Sequence, residues 1–151
     1  GAMEACAVTL KEAVAAGTGA ESIVQQMRES GNRMPGFGHP VHRQQDPRVL
    51  NLLELAAQWN IADAHAALAR ELEESLERTL GRRLPMNVDG VIAALLCDMG
   101  IEPALGRTFF IVGRAAGYAA HAHEQMTAER PFKAAGIDEI TYTGPEKRNV
   151  P

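Results

Sequence analysis

Apolar residues recur every three to four positions along most of the chain, a pattern that predicts helices. Residues 3–17 follow this spacing and stop at a glycine, and a shorter segment of the same kind runs from residue 21 to Gly31. A third segment begins at Asp46 and Pro47, a capping residue followed by proline at the first helical position. Neither an alternation of strands and helices nor an internal repeat is visible. The predicted fold class is therefore all-α.

Three further helices are predicted from residue 61 onward. Segment 61–80 is the most clearly amphipathic, and its apolar stripe consists of Ile61, Ala64, Leu68, Leu72, Leu76 and Leu80. Segment 91–100 is apolar on nearly all sides, which predicts a buried helix. Segment 102–127 is rich in glycine and alanine, which favours close contact with another helix or subunit. The tail from residue 129 is predicted to be irregular, with one short strand at 139–143.

The composition of the chain argues against several classes of protein. The 151 residues suit one domain, and no apolar run approaches the ~18 residues of a membrane span. The start of the chain lacks the pattern of a signal peptide. Two cysteines, Cys6 and Cys97, are too few and too distant for a disulfide framework or a zinc site, so we expect buried thiols in a reducing cytoplasm. A formal charge of −4 disfavours non-specific nucleic-acid binding.

One stretch, "MPGFGHPVHRQQDPR" at 34–48, suits neither a helix nor a regular strand because it is rich in glycine and proline. Gly36 and Gly38 permit unusual backbone angles and the close approach of a ligand. His39 lies among them, and two interpretations are open. It is either a turn histidine that caps a local backbone group, or a fixed imidazole that hydrogen-bonds a carbonyl where negative charge develops.

A second stretch, "NVDG" at 87–90, precedes the strongly apolar helix. Asn87 or Asp89 is a candidate cap for that helix. The alternative is a functional carboxylate at Asp89. Desolvation at the edge of a dry helix cluster would make that carboxylate a better base than an exposed one.

The remaining candidate site residues are arginines and histidines. Arg48 lies early in its predicted helix, whereas Arg114 lies in the middle of an apolar helix, where a charge is costly unless it is paired. Arg114 therefore forms either an internal salt bridge or a site for a substrate carboxylate. His121 and His123 invite a metal interpretation, but a spacing of two residues places them on different faces of a helix, so no metal site is predicted.

Taken together, these motifs resemble the citrate synthase family, which includes citryl-CoA lyases and the citrate-synthase-like module of ATP-citrate lyase. "PGFGHPVHRQQDPR" is similar to the family's Gly-x-Gly-His loop followed by Asp-Pro-Arg, and "NVDG" is similar to its Asn-Val-Asp. "FFIVGRAAG" resembles the stretch that carries a substrate-binding arginine, "ERPFK" resembles a later Arg-Pro motif, and "YTGPEKRNVP" is similar to the C-terminal ends of many members. The resemblance implies an all-α homodimer that condenses acetyl-CoA with a 2-oxo acid such as oxaloacetate, or cleaves citryl-CoA.

Carried over residue by residue, the resemblance implies two catalytic residues. Asp89 would remove a proton from the acetyl methyl group, and His39 would polarise the keto carbonyl. The substrate-binding residues would be Arg48, Arg114, Arg130 (reaching the partner subunit's site) and Phe110. Contacts with coenzyme A would come from Pro35, Gly36, Phe37, Gly38, Val41, Arg43 and Asn87.

The resemblance also implies a domain organisation. Residues 19–99 would form the small, CoA-binding domain, and residues 1–18 and 100–151 would belong to the large, dimerising domain. The family's enol-stabilising histidine, in a His-Gly-Gly-type motif, does not occur in this sequence, and the opening "GAM" is either a cleavage scar or native. We therefore expect a form without the N-terminal helices, with exposed apolar surface and little or no activity. The lyase branch is slightly favoured.

Two alternatives to an enzyme remain open at this stage. The chain could be a non-catalytic helical module that dimerises or binds CoA, or an unrelated helical bundle without affinity for CoA.

Overall fold

The protein is built from helices. The computed structural model describes residues 1–128, 136–139, 141, 144 and 146, and within these it contains no strand, only one isolated bridge between Phe37 and Met86. The helices are α1 (Ala2–Ala16), α2 (Ala20–Glu29), α3 (Pro47–Gln58), α4 (Ala64–Leu80), α5 (Val88–Asp98) and α6 (Pro103–Ala128), followed by a 3₁₀ turn at Ile137–Glu139. The predicted all-α class is confirmed. The strand expected at 139–143 falls largely outside the described residues.

The chain divides into two units, Gly1–Ile111 and Val112–Pro151. In the first unit α5 is the central helix: it packs against α1, α3 and α4, while α2 packs against α4. Most of α5 is buried, as expected for a helix that is apolar on nearly all sides. The division into domains at residues 18 and 100 remains a prediction.

The expected stripe of α4 is partly wrong. Leu68, Leu72 and Leu76 are buried, but Ala64 and Leu80 are exposed, and Ile61 precedes the helix. The physical reason is helical geometry: steps of four residues rotate by about 40° each in a helix of 3.6 residues per turn. A stripe with strict four-residue spacing therefore leaves the buried face after a few turns.

The two cysteine thiols are free and buried, as expected. Burial raises the pKa of Cys6 to about 12, and the negative charges of Cys97 and Asp89 add to the effect. Burial likewise raises the pKa of Cys97. Both thiols are therefore protonated and unreactive at neutral pH.

Helix α6 is largely exposed. Gly106 is its buried residue, and apolar side chains of α6 face solvent at Leu105, Phe109, Ile111, Val112, Tyr118 and Met126. An apolar helix that is exposed in this way presents a surface that normally contacts protein. None of the described helices combines the length and apolar character that a bilayer crossing requires.

Candidate functional site

The histidine-containing loop is held against the segment that leads into α5. The Gly38 N–H donates to the Pro85 carbonyl at 2.7 Å, and the Asn87 N–H donates to the Gly36 carbonyl at 2.9 Å. These two bonds flank the bridge between Phe37 and Met86. The loop is thus fixed by backbone pairing although its residues are unsuited to a regular strand.

Asn87 joins the loop to the start of α5. Its side-chain oxygen accepts from the backbone N–H groups of Asp89 at 2.9 Å and Gly90 at 3.2 Å, which confirms Asn87 as the cap of α5. Its side-chain amide donates to the Gly38 carbonyl at 2.8 Å. Asn87 therefore uses both ends of its amide within the chain, so its expected contact with coenzyme A lacks direct geometric support.

Two glycines allow the loop to approach α5 closely. Gly36 has φ +85°, and a Cβ there would lie 2.7 Å from the Gly90 Cα and 2.8 Å from the Cys6 Sγ. Gly90 in turn has the Gly36 carbonyl oxygen against the position of its own missing Cβ. The loop can therefore pack at this distance only because both positions lack a side chain.

The imidazole of His39 is oriented by its own loop. The backbone N–H groups of Val41 and His42 donate to His39 Nδ1 at 3.1 and 3.0 Å. Because Nδ1 accepts both bonds, the neutral ring carries its proton on Nε2. His39 thus caps local backbone groups through Nδ1, as the first interpretation predicts, and its Nε2–H is left as the donor that the second interpretation requires. A role toward a substrate carbonyl stays a prediction.

Arg48 directs its guanidinium to this donor. Arg48 Nη2 lies 3.2 Å from His39 Nε2. An arginine has no acceptor atom, so two donors face each other across this distance. An oxygen atom of a ligand placed beside both groups would accept from both of them.

Asp46 holds Arg48 in this position. Its two carboxylate oxygens accept from Arg48 Nε at 2.9 Å and Nη2 at 2.7 Å, and the Arg48 backbone N–H donates to the same carboxylate at 3.1 Å. The hydrogen bond with Asp46 is the main cause that raises the pKa of Arg48, and the charges of Asp46 and Asp89 add to it.

Asp46 should contribute stability that depends on pH. The Arg48 side-chain hydrogen bond lowers the pKa of Asp46 below 3.8, so its contribution is present above about pH 4 and is lost as the pH falls through the folded-state pKa. We expect Asp46→Asn to lower the free energy of unfolding at pH 7 by about 1–3 kcal/mol, because a buried charge-assisted pair is lost while the helix cap is retained. Urea unfolding measures this value, and the difference from the parent protein should shrink as the pH falls below about 4.

Asp89 lies in the first turn of α5 and borders a small cavity of about 120 Å³. The cavity is lined by Gly1, Ala2, Met3, Glu4, Asp89, Arg107 and Phe110. Phe110 therefore lines the same cavity as Asp89, and its role near the reacting atoms stays a prediction. Larger cavities of about 450 and 620 Å³ are lined by other residues of the first unit and include none of the predicted site residues.

The other predicted residues lie on the loop, in the second unit or outside the described residues. Val41 and Arg43 are exposed on the loop, while Pro35 and Phe37 are half-buried in it. Arg114 belongs to the second unit, where its guanidinium carbon lies 5.6 Å from the centre of the Tyr118 ring. Arg130 lies outside the described residues.

Sequence reasoning missed two roles of acidic residues. Asp46 was expected only as a cap, although its spacing of two residues from Arg48 is compatible with the observed ion pair. Asp98 was not singled out, yet it hydrogen-bonds His65 Nδ1 at 2.8 Å and the backbone at the start of α4. Its place at the end of an apolar helix, where the helix dipole disfavours an acid, was the available signal.

Comparison with known proteins agrees with the helical fold. Citrate synthase 2 of Bacillus subtilis is 29% identical over 132 residues, which cover 85% of this chain and 34% of that protein. Citryl-CoA lyase from Hydrogenobacter thermophilus matches 100% of this chain and 60% of its own, with a TM-score of 0.80 and 35% identity. ATP citrate lyase from Methanosaeta concilii, solved with (3S)-citryl-CoA, matches 97% of this chain and 26% of its own, with a TM-score of 0.74 and 26% identity.

The chain spans about a third of the length of the curated relatives it matches. Residues 1–135 match the family model described as citrate synthase, C-terminal domain. This match covers most of the sequence and includes both the His39 loop and the start of α5. The chain therefore belongs to the citrate synthase family, in the part that corresponds to its C-terminal domain.

Proposed function

We propose that this chain carries the keto-acid and proton-abstraction groups of an enzyme that condenses acetyl-CoA with oxaloacetate or cleaves citryl-CoA. The observation that carries the proposal is the convergence of His39 Nε2 and Arg48 Nη2, 3.2 Å apart, on a position that suits a ligand oxygen. The charge of Asp89 acts on the same arginine. A keto oxygen and a neighbouring carboxylate would supply the acceptors that these donors lack.

In the condensation direction, the Asp89 carboxylate takes a proton from the acetyl methyl group, and the resulting carbon nucleophile attacks the keto carbon. The Nε2–H of His39 donates to the keto oxygen as it becomes an alkoxide, which lowers the energy of the transition state. Arg48 holds a carboxylate of the substrate, and we assign the same role to Arg114 and Arg130. Cleavage of citryl-CoA passes through the same transition state in reverse.

The loop around His39 is also the proposed contact for coenzyme A. Both backbone polar groups of Gly38 are engaged within the chain, so contacts with the ligand would fall on its neighbours. Val41 and Arg43 are exposed, and the guanidinium of Arg43 suits a phosphate. The neighbouring structures support a CoA-linked substrate, since one was solved with citryl-CoA and another with citrate and coenzyme A.

We expect the isolated chain to bind ligands but to turn over little or no substrate, because its sequence contains no His-Gly-Gly motif that could stabilise the enol. Citrate formation from acetyl-CoA and oxaloacetate, and cleavage of citryl-CoA, should both stay near background. Rapid turnover by the isolated chain would refute this expectation. The exposed apolar residues of α6 support a homodimer as the working form.

Two substitutions test the assigned roles in the isolated chain. NMR in D₂O would follow exchange of the acetyl-CoA methyl protons in the presence of oxaloacetate, and we expect slow exchange that Asp89→Asn abolishes. His39→Gln should weaken oxaloacetate binding about tenfold, the cost of one charge-assisted contact, as measured by calorimetry. Asp63→Asn and His121→Gln are matched controls at exposed positions and should behave like the parent chain. Exchange that survives Asp89→Asn would exclude Asp89 as the base.

The second candidate is a non-catalytic module that binds CoA or dimerises. The absence of a His-Gly-Gly motif from this sequence favours it for this chain. CoA binding without any methyl-proton exchange, in the parent chain as in Asp89→Asn, would support the module and contradict the catalytic assignment.

A further inference from the structure

We propose that Asp46 is a positioning residue of this site, in addition to capping α3. Its carboxylate fixes the plane of the Arg48 guanidinium, so that Arg48 Nη2 and the His39 Nε2–H lie 3.2 Å apart and can meet neighbouring oxygens of one ligand. The inference rests on the proposed function for the identity of that ligand, whereas the positioning of Arg48 is a property of the free protein.

The contacts of Asp46 exceed what a helix cap requires. Capping uses one bond, the one accepted from the Arg48 backbone N–H at 3.1 Å. The bonds from Arg48 Nε at 2.9 Å and Nη2 at 2.7 Å add a two-point contact, which determines the orientation of a planar guanidinium. The Asp46 side chain is fully buried, so it forms a fixed anchor.

The position of Arg48 is unfavourable without such an anchor. Its side chain is 47% exposed, so it has room to move into solvent. It lies instead beside His39 Nε2, where a second donor faces it. Because two donors do not attract each other, the ion pair with Asp46 must hold the guanidinium there. The site is thereby organised before a ligand arrives, which reduces the ordering cost of binding.

An argument from charge alone predicts the opposite change in binding affinity. The direction of the change in Asp46→Asn therefore tests the inference. Asp46 partly neutralises Arg48, so removing its negative charge should strengthen the binding of an anion if only charge matters. If positioning matters, the same substitution should weaken binding. Asp46→Asn is the suitable variant because asparagine caps helices as well as aspartate does.

The experiment titrates citrate into the intact chain at pH 7 by calorimetry. We expect Asp46→Asn to weaken citrate binding about 10- to 100-fold, the cost of losing a charge-assisted hydrogen bond to the ligand. Asp63→Asn places the same substitution at the start of α4, where the aspartate side chain makes no capping bond, and should leave the affinity unchanged. Equal or tighter citrate binding by Asp46→Asn overturns the inference.

A second variant and a second measurement keep the test decisive. Arg48→Lys retains the charge but cannot form the two-point contact. It should weaken citrate binding by a similar factor, and the double variant with Asp46→Asn should bind only slightly more weakly than either single variant.

The NMR signal of Arg48 Nε–H reports the ordering of this side chain without any ligand. In Asp46→Asn it should move to the position of a free arginine. If the parent chain binds no citrate, the proposed function fails. The Arg48 signal then decides the inference, since an unchanged signal in Asp46→Asn refutes it.

Discussion

Gly36→Ala should destabilise the protein by about 2–5 kcal/mol, the sum of about 1–2 kcal/mol for a side chain in left-handed backbone and 1–3 kcal/mol for overpacking. The φ of +85° is the source of the first contribution. The second arises because the new Cβ would lie 2.7 Å from the Gly90 Cα and 2.8 Å from the Cys6 Sγ. Urea unfolding measures the loss. Weaker binding of citrate should accompany it, because the displaced loop carries His39.

Gly81→Ala is the matched control for backbone strain. Gly81 ends α4 with φ +63°, and a Cβ there has no neighbour within 4 Å. Gly81→Ala should therefore lower the free energy of unfolding only by the contribution from left-handed backbone, about 1–2 kcal/mol. Gly90→Ala supplies the complementary case, because alanine favours helices yet its Cβ would press on the Gly36 carbonyl and the Met86 side chain. Equal effects of Gly36→Ala and Gly81→Ala would contradict close packing of the loop on α5.

Asp98→Ala should lower the free energy of unfolding by about 3 kcal/mol, since a buried carboxylate with several charge-assisted bonds is lost. Asp98 accepts from the backbone N–H groups of Asp63 at 2.8 Å, His65 at 2.9 Å and Ala66 at 3.0 Å, and from His65 Nδ1 at 2.8 Å. Its side chain is only 1% exposed. The substitution leaves the N–H groups at the start of α4 without this acceptor.

Asp63→Ala is the control for this prediction. Asp63 occupies the capping position of α4 in sequence but makes no capping bond with its side chain. Its replacement should change the free energy of unfolding by no more than about 0.5 kcal/mol, as is usual for an exposed residue. If Asp63→Ala costs as much as Asp98→Ala, then Asp63 rather than Asp98 caps the helix in solution.

The proposed chemistry depends on the protonation of His39 being fixed by backbone donors. A histidine free to exchange its proton between the two nitrogens would present a donor to the ligand only part of the time. The two bonds accepted by Nδ1 remove this ambiguity. In the proposed mechanism the loop would thus act through its backbone N–H groups, which no pattern of side chains in the sequence reveals.

Local signals in the sequence were sufficient for the helices. Asp46 followed by Pro47 marked the start of α3, and Gly17 and Gly81 marked the ends of α1 and α4, where both adopt left-handed backbone. These features act within a few residues, through capping bonds and backbone sterics, so they can be read without knowledge of the fold. The motifs around His39 and Asp89 identified the family for the same reason, because each is contiguous.

Contacts between distant segments were decided only by the tertiary structure. Helix α4 begins at Ala64 rather than near Ile61 because Asp98, more than 30 residues away, caps it. The close approach of Gly36 to Gly90 likewise joins segments more than 50 residues apart. The short distance between the two donor atoms, His39 Nε2 and Arg48 Nη2, depends on the orientations of both side chains as well as on the backbone. The sequence by itself determined which elements form and which groups are available, whereas packing determined which of those groups meet.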